Sequence, residues 1–292
     1  MMNLKHLRYF VRVAELSSFT AAAEQLHLAQ PAVSMAIQKL EQTLSITLFH
    51  RHERQISLTD EGRELLMHAR RVLMAADEAE LAMQELSGLK RGEVRIGIPG
   101  MLGSYYFPPI LMAFRHRYPD LQISVIEAGT RKLQQMLLSG EIDIGVIVED
   151  SPTNELELCP FLHEEMMVVM ADDHPLAACE SITPEDFFAQ ELVLFKEGYF
   201  HREVINRLLL ETGLQPHIGF ETNLIPLIKQ IVKQGFGIST LLQMVIRDEP
   251  ALVARPFSRP VLLDLSLAWR KGGYLSRANQ TFIEFLADQI RN

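Results

Sequence analysis

Residues Ser18–Leu44 read SFTAAAEQLHLAQPAVSMAIQKLEQTL, and this stretch decides how the N-terminal part of the chain folds. Ser17-Ser18 offers an N-cap, since a serine hydroxyl accepts from the orphan N–H groups of a first helical turn. The short helix it opens runs through Ala21, Ala22 and Leu26. His27-Leu28-Ala29 is a tight connection, and Gln30-Pro31 starts the next helix at a position where the missing proline N–H costs nothing. Val33, Ile37, Leu40 and Leu44 then recur at helical spacing and face inward, leaving Gln30, Ser34, Met35, Gln38 and Lys39 outward. Upstream, Leu4, Leu7, Phe10, Val11 and Ala14 share one face of a preceding helix. Helices joined by so short a turn form a helix-turn-helix pattern.

The pattern continues outward from there. Leu48–Thr59 alternates loosely and is rich in Arg and His, which reads as a β-ribbon wing. Thr59, with Gly62 and Glu64 in the first turn, starts a long helix. Its residues Leu65, Ala69, Val72, Ala76, Ala79, Met83 and Leu86 are spaced alternately by four and three, an a/d seam. The opposite face is charged, so the seam reads as a dimerisation coiled coil rather than as a helix lying on its own domain. His50 and His52 share one face of the wing, but no third ligand follows at a convincing spacing, and no metal is expected.

Composition bounds the rest. A chain of 292 residues allows two or three domains and a real core. Its 48% hydrophobic and 22% charged residues are an ordinary globular mixture. No apolar run approaches the roughly 20 residues that span a bilayer. Met1–Phe10 carries Lys5, His6 and Arg8 with no apolar segment or cleavage site behind them, so neither membrane nor secretion is expected. Cys159 and Cys179 are the only cysteines, which fits a reducing cytoplasm. The net charge of −9 is unevenly spread: residues 1–59 sum to +2 and the remainder to −11. Gly62 is the first glycine and Pro31 the only proline before Pro99, so the first 98 residues should be mostly helical. Ser87–Gly92 reads as a linker.

From Val94 onward, β-branched runs alternate with helical patterns, the signature of α/β units. Strands are expected at Glu93–Pro99, Leu121–Glu127, Ile142–Val148, Met166–Ala171, Leu192–Phe195, Ile218–Glu221 and Val261–Trp269. Helices are expected at about Tyr105–Tyr118, Tyr199–Thr212, Leu224–Gln234 and Ser276–Ile290, and one opens at Thr130. Gly97, Gly100 and Gly103 lack the G-x-G start of a dinucleotide loop. What remains is a strand leading into a helix N-terminus, which suits an anion. G-x-S-x-G, H-E-x-x-H and P-loop motifs are absent, so no enzyme and no cofactor is expected. The rival readings are a small-molecule binding protein or an enzyme built on the C-terminal part. Either would leave the first 90 residues without a purpose.

Leu7-Arg8-Tyr9-Phe10, Ser18-Phe19-Thr20-Ala21-Ala22-Ala23, Leu26, Gln30-Pro31-Ala32-Val33-Ser34, Ile37, Leu40-Glu41, Leu48-Phe49, Arg51, Leu58-Thr59 and Gly62 together resemble the winged helix-turn-helix of LysR-type transcriptional regulators. The resemblance extends through the long helix and, more loosely, over the remaining length. It implies an α+β multidomain chain: a winged helix-turn-helix at 1–59, a linker and dimerisation helix at 60–92, and an effector domain at 93–292. That domain would have two α/β lobes like those of periplasmic binding proteins, lobe I at about 93–162 and 265–292 and lobe II at about 163–264. Ala29 departs from the Ser or Thr usual in the family, which removes a helix cap and one phosphate contact.

The resemblance also implies a function. The third helix would enter the major groove of promoter DNA, with Gln30 and Gln38 able to pair with adenine and Ser34 with a base or phosphate. Lys39, and Arg51 and Arg54 on the wing, would reach the backbone or minor groove. A homodimer, and a homotetramer formed through the effector domains, would span an interrupted palindrome and a second site. A small effector, a carboxylate or other anion, would sit in the cleft at Gly100, Met101, Ser104, Thr130, Phe195, Lys196 and Asn223. The expected protein is a cytoplasmic, DNA-binding activator or repressor.

Overall fold

The computed structural model describes residues 2–52, 55–86, 92–149 and 154–291. The chain divides into two compact units, Met1–Leu89 and Lys90–Asn292.

The first unit is helical with a small ribbon. It contains α1 (Leu4–Leu16), α2 (Phe19–Gln25), α3 (Gln30–Leu44), β1 (Phe49–His52), β2 (Gln55–Leu58) and α4 (Asp60–Leu86). Ser18 caps α2, its hydroxyl accepting from the Ala21 N–H at 3.2 Å. α3 starts at Ala29 with no side-chain cap, relying on proline in its first turn. Leu7, Phe10, Val13, Val33, Ile37 and Leu40 pack into one core with Phe49, whose ring lies 5.4 Å from Phe10 and 5.7 Å from Phe19. The inward face of α1 is set a little differently from the sequence reading: Leu4 is exposed and Val13 is buried. β1 and β2 pair antiparallel, Phe49 opposite Leu58.

The junction between ribbon and long helix rests on two residues. The Thr59 hydroxyl accepts from the Gly62 N–H at 2.9 Å and donates to the Thr47 carbonyl at 2.8 Å. One side chain thus caps α4 and ties it to the segment leading into the wing. Gly62 passes so close to that segment that a Cβ there would lie 2.2 Å from the Leu48 carbonyl oxygen. Only glycine allows this approach.

The second unit is α/β. Its elements are β3 (Glu93–Ile98), α5 (Gly100–Tyr105), α6 (Phe107–Arg117), β4 (Gln122–Glu127), α7 (Thr130–Ser139), β5 (Ile144–Val148) and β6 (Leu156–Ala171). They continue with α8 (Pro184–Phe188), β7 (Glu191–Leu194), α9 (Phe200–Thr212), β8 (His217–Glu221) and α10 (Ile225–Lys233). The last are β9 (Ser239–Leu242), β10 (Leu252–Pro256), β11 (Leu262–Arg270) and α11 (Arg277–Arg291). β4, β3 and β5 are parallel neighbours, the arrangement that helical crossovers produce. β11 closes this group antiparallel to β5, and α11 returns over it, with Phe282 5.0 Å from Phe114 of α6.

β6 joins the two lobes. Its first part, Leu156–Glu165, pairs with β11; its second, Met166–Ala171, pairs with β9 and β10. The sequence reading sees only the second part, because the first carries Glu157, Pro160 and His163 and lacks a clean period. The lobe limits read at 162/163 and 264/265 fall within the spans of β6 and β11. The helix expected at about Tyr105–Tyr118 is α6, and the short α5 before it is an addition that the sequence reading takes as a turn. Pro108 and Pro109 lie in the first turn of α6 and separate the two, since proline starts helices but cannot continue them. Among the described residues no helix is long and apolar enough to cross a membrane.

Candidate functional site

Two surfaces, one on each unit, carry the candidate chemistry. On the first unit, the inward stripe of α3 leaves Gln30, Gln38 and Lys39 exposed and Ser34 half-buried. At 100° per residue, Gln30, Ser34 and Gln38 line one edge of the outward face and Lys39 the other. Met35, 63% exposed, stands between them. Near Lys39 the N-terminus of α1 adds Lys5 and His6. The His6 imidazole is held below the ordinary histidine range by burial first, then by the charges of Lys39 and Lys5. The lowering by those two charges marks a positive cluster that the sequence reading missed. Arg8 and Arg12 do not extend it, because they pair with Asp77 at 2.6 Å and Glu15 at 3.1 Å. Arg51 lies on β1 by its backbone, and Arg54 lies outside the described residues.

α4 divides the heptad seam. Ala69 and Leu73 are buried in the core of this unit, with Leu65 and Leu66 packed beside them. The Arg70 guanidinium meets Glu15 of α1 at 3.2 Å. Further along, Val72, Ala79 and Met83 are exposed and Ala76 is partly so, an apolar row with no covering side chain described. Leu86 is the last residue of α4 and its side chain is outside the description.

In the second unit the lobes enclose a cavity of about 50 Å³. Its apolar walls include Met101, Leu102, Val148, Phe195, Phe200, Ile225, Leu242, Leu263 and Leu265. The polar side chains are Thr130, Asn223, Glu127, Tyr199 and His201, and among the described lining residues there is no Lys or Arg. Of the residues the sequence assigns to a ligand, Gly100, Met101, Thr130, Phe195 and Asn223 line it. Ser104 and Lys196 do not. Ser104 lies one turn beyond Gly100, about 6 Å along α5, and is exposed past the rim. Lys196 follows the end of β7, and its side chain is exposed while that of Phe195 is buried. Only the Lys196 N–H turns in, donating to Asn223 Oδ1 at 2.9 Å.

The lobes touch across the cleft. The Tyr199 hydroxyl donates to Glu127 Oε1 at 3.0 Å, and Arg131 Nε meets Glu203 Oε2 at 3.1 Å. Gly129 lies so near Gly198 that a Cβ would stand 2.1 Å from the Gly198 carbonyl oxygen. The Tyr199 phenol is pushed up to about 12, by burial first and then by the Glu127 carboxylate, so it stays a donor. Elsewhere Lys229 of α10 donates to the Tyr105 hydroxyl at 3.2 Å and pairs with Glu249 at 2.6 Å.

His201 is the residue that sequence reasoning missed. It is 7% exposed, sits in the first turn of α9, and its Nε2 is buried with no hydrogen-bond partner. Burial pushes its imidazole down to about 4, so the ring is neutral at pH 7. Leaving such a nitrogen unsatisfied costs about 1–3 kcal/mol. A signal was present: His201, Val204, Ile205 and Leu208 are spaced as one buried helix face, which puts a histidine in an apolar stripe. Among the described residues no group of three or more His, Cys, Asp or Glu could hold a metal ion.

Comparison with known proteins adds the following. Residues 4–63 match the family described as "Bacterial regulatory helix-turn-helix protein, lysR family", and residues 87–291 match the "LysR substrate binding domain". A RuBisCO operon transcriptional regulator of Allochromatium vinosum is 33% identical, covering 99% of this chain and 96% of that one. An HTH-type transcriptional regulator of Bacillus subtilis strain 168 is 30% identical over 99% of this chain and 95% of its own. Among solved structures, a full-length OxyR variant from Pseudomonas aeruginosa is 27% identical with a TM-score of 0.69, covering 100% of this chain and 95% of that one. CbnR, a LysR family regulator, shares the fold over 100% of both chains, with a TM-score of 0.67 and 24% identity.

Proposed function

Since the chain belongs to the LysR family of bacterial transcriptional regulators, we infer that its α3 reads promoter DNA as part of a dimer and that the interlobe cavity holds the effector controlling this. The observation that carries the reading is the outward face of α3, where Gln30, Ser34, Gln38 and Lys39 stand opposite the buried stripe. The amides of Gln30 and Gln38 suit adenine edges, Met35 suits a thymine methyl, and Ser34 and Lys39 suit phosphates. Lys5 and His6 extend the phosphate-binding surface, and Arg51 and Arg54 on the wing complete it. The role is regulation rather than catalysis, and it is exercised in the cytoplasm, where the DNA is.

The exposed row Val72, Ala76, Ala79 and Met83 supports dimerisation through α4, because an apolar row on a charged helix gains most by facing its copy. Pairing of effector domains would then give a tetramer spanning an interrupted palindrome and a second site. As for the effector, the sequence expects an anion. The apolar walls and the lack of lining Lys or Arg narrow that to a compact molecule with an apolar body and at most one charge.

Footprinting of the full chain on its own upstream intergenic DNA tests this reading. Protection of two half-sites about one helical turn, or a multiple of it, apart is expected. Uniform protection of unrelated DNA at the same concentration would reject it.

A further inference from the structure

His201 is the one lining residue, among those described, with a buried side-chain atom left without a partner. The ionisable groups on the elements around it are already matched. Glu127 at the end of β4 takes the Tyr199 hydroxyl, Glu203 of α9 holds Arg131 of α7, and Arg202 of α9 is engaged by Glu221 of β8 and by Glu197. The Lys196 side chain is exposed. The rings beside the imidazole are Phe195 at 5.3 Å and Phe200 at 6.4 Å. The N-termini of α7 and α9, ten and thirteen residues long, come together at Gly129 and Gly198, and neither has a side-chain cap. Uncapped first-turn N–H groups favour a ligand that accepts. A carboxylate accepts and carries a charge, and His201 is the only described lining residue able to become cationic and meet it.

We propose that the effector is a small monocarboxylic acid with an apolar body, that its carboxylate bonds to His201 Nε2, and that binding draws a proton from solvent onto the imidazole. His201 is then the residue that selects acids over neutral molecules of the same shape. This rests on the cavity being the effector site. The carboxylate enters ionised, the imidazole becomes imidazolium, and no other bond changes. Burial alone holds the free imidazole at about 4, and a buried carboxylate against it raises its affinity for a proton. Linkage fixes the sign. Between about 4 and the higher value in the complex, affinity falls about tenfold for each unit of pH rise; above that value it is flat.

Calorimetry on the full chain tests this with butyrate and benzoate as probes, against butyramide and benzamide, in PIPES and ACES near pH 6. The heat difference between the buffers gives the proton count. Uptake of about one proton per site is expected for an acid and none for an amide. His201→Asn keeps a donor but cannot titrate, so its uptake should vanish along with the pH slope. Thr130→Phe fills the cavity and should abolish binding. Acid binding without proton uptake, unchanged uptake in His201→Asn, or amides binding as well as acids would overturn the role of His201 while leaving the cavity reading intact. Failure of both acids to bind at millimolar concentration would overturn the proposal too. Acid binding that survives in a folded Thr130→Phe chain would overturn the cavity reading itself.

Discussion

Four residues show how single atoms set what this chain can do. Lys39 stands on the outward edge of α3 beside Lys5 and His6. If it meets a phosphate, Lys39→Ala should weaken binding to all DNA sequences alike and reduce the slope of log affinity against log salt by about 1. A titration of both variants over a salt series measures this. Ser34→Ala should weaken promoter binding without altering the oligomer. Thr59 holds the wing entry and α4 together through one hydroxyl, so Thr59→Val should lower stability by about 1–2 kcal/mol in chemical denaturation. His201 sets a pH dependence. Its folded value is depressed to about 4 from 6.5, so between these values only the unfolded chain gains the proton. Stability is full above about 6.5 and falls as pH drops toward 4, by on the order of 3 kcal/mol in all. Thermal melts of the His201→Leu variant should lose this dependence.

At the scale of elements, α4 has two jobs along one helix. Its first turns, through Ala69 and Leu73, belong to the core of its own unit; its later turns present the exposed row centred on Ala76. If α4 is the proposed dimer interface, Ala76→Glu should split it while leaving the helical unit folded, and light scattering at micromolar concentration would show the mass halve. An unchanged mass would remove the seam from the interface. The helices were legible in the sequence because α3 and α4 keep one strong period over many turns. β6 was half-legible: Met166–Ala171 is a continuous apolar run, whereas Leu156–Glu165 mixes Glu157, Pro160 and His163 into a strand recognisable only beside β11. The cleft was legible where a turn residue announced it, at Gly100 and Thr130. It was not at Glu127, Tyr199 and His201, since Glu127 lies far from the other two in sequence and they come together only in the fold. Ser104 and Lys196 lie outside the cavity lining, since being next to a lining residue in sequence does not aim a side chain into the cavity.

Over the whole molecule, function requires that a ligand in one unit change what the other does to DNA. Such a ligand can act only through its differential affinity for two states. Across the cleft the Arg131–Glu203 pair is partly exposed, a class contributing at most about 1 kcal/mol. Residues 1–59 carry a positive balance and the rest a negative one, a split that on electrostatic grounds favours the head over the acidic remainder as the part that meets DNA. The most direct test is fluorescence anisotropy of the full chain on its labelled upstream intergenic duplex and on a shuffled duplex of equal length, over a salt series. The native duplex should bind at least about a thousandfold more tightly at physiological salt, both affinities falling steeply as salt rises. Equal affinity for the two duplexes across the series would contradict a sequence-reading regulator.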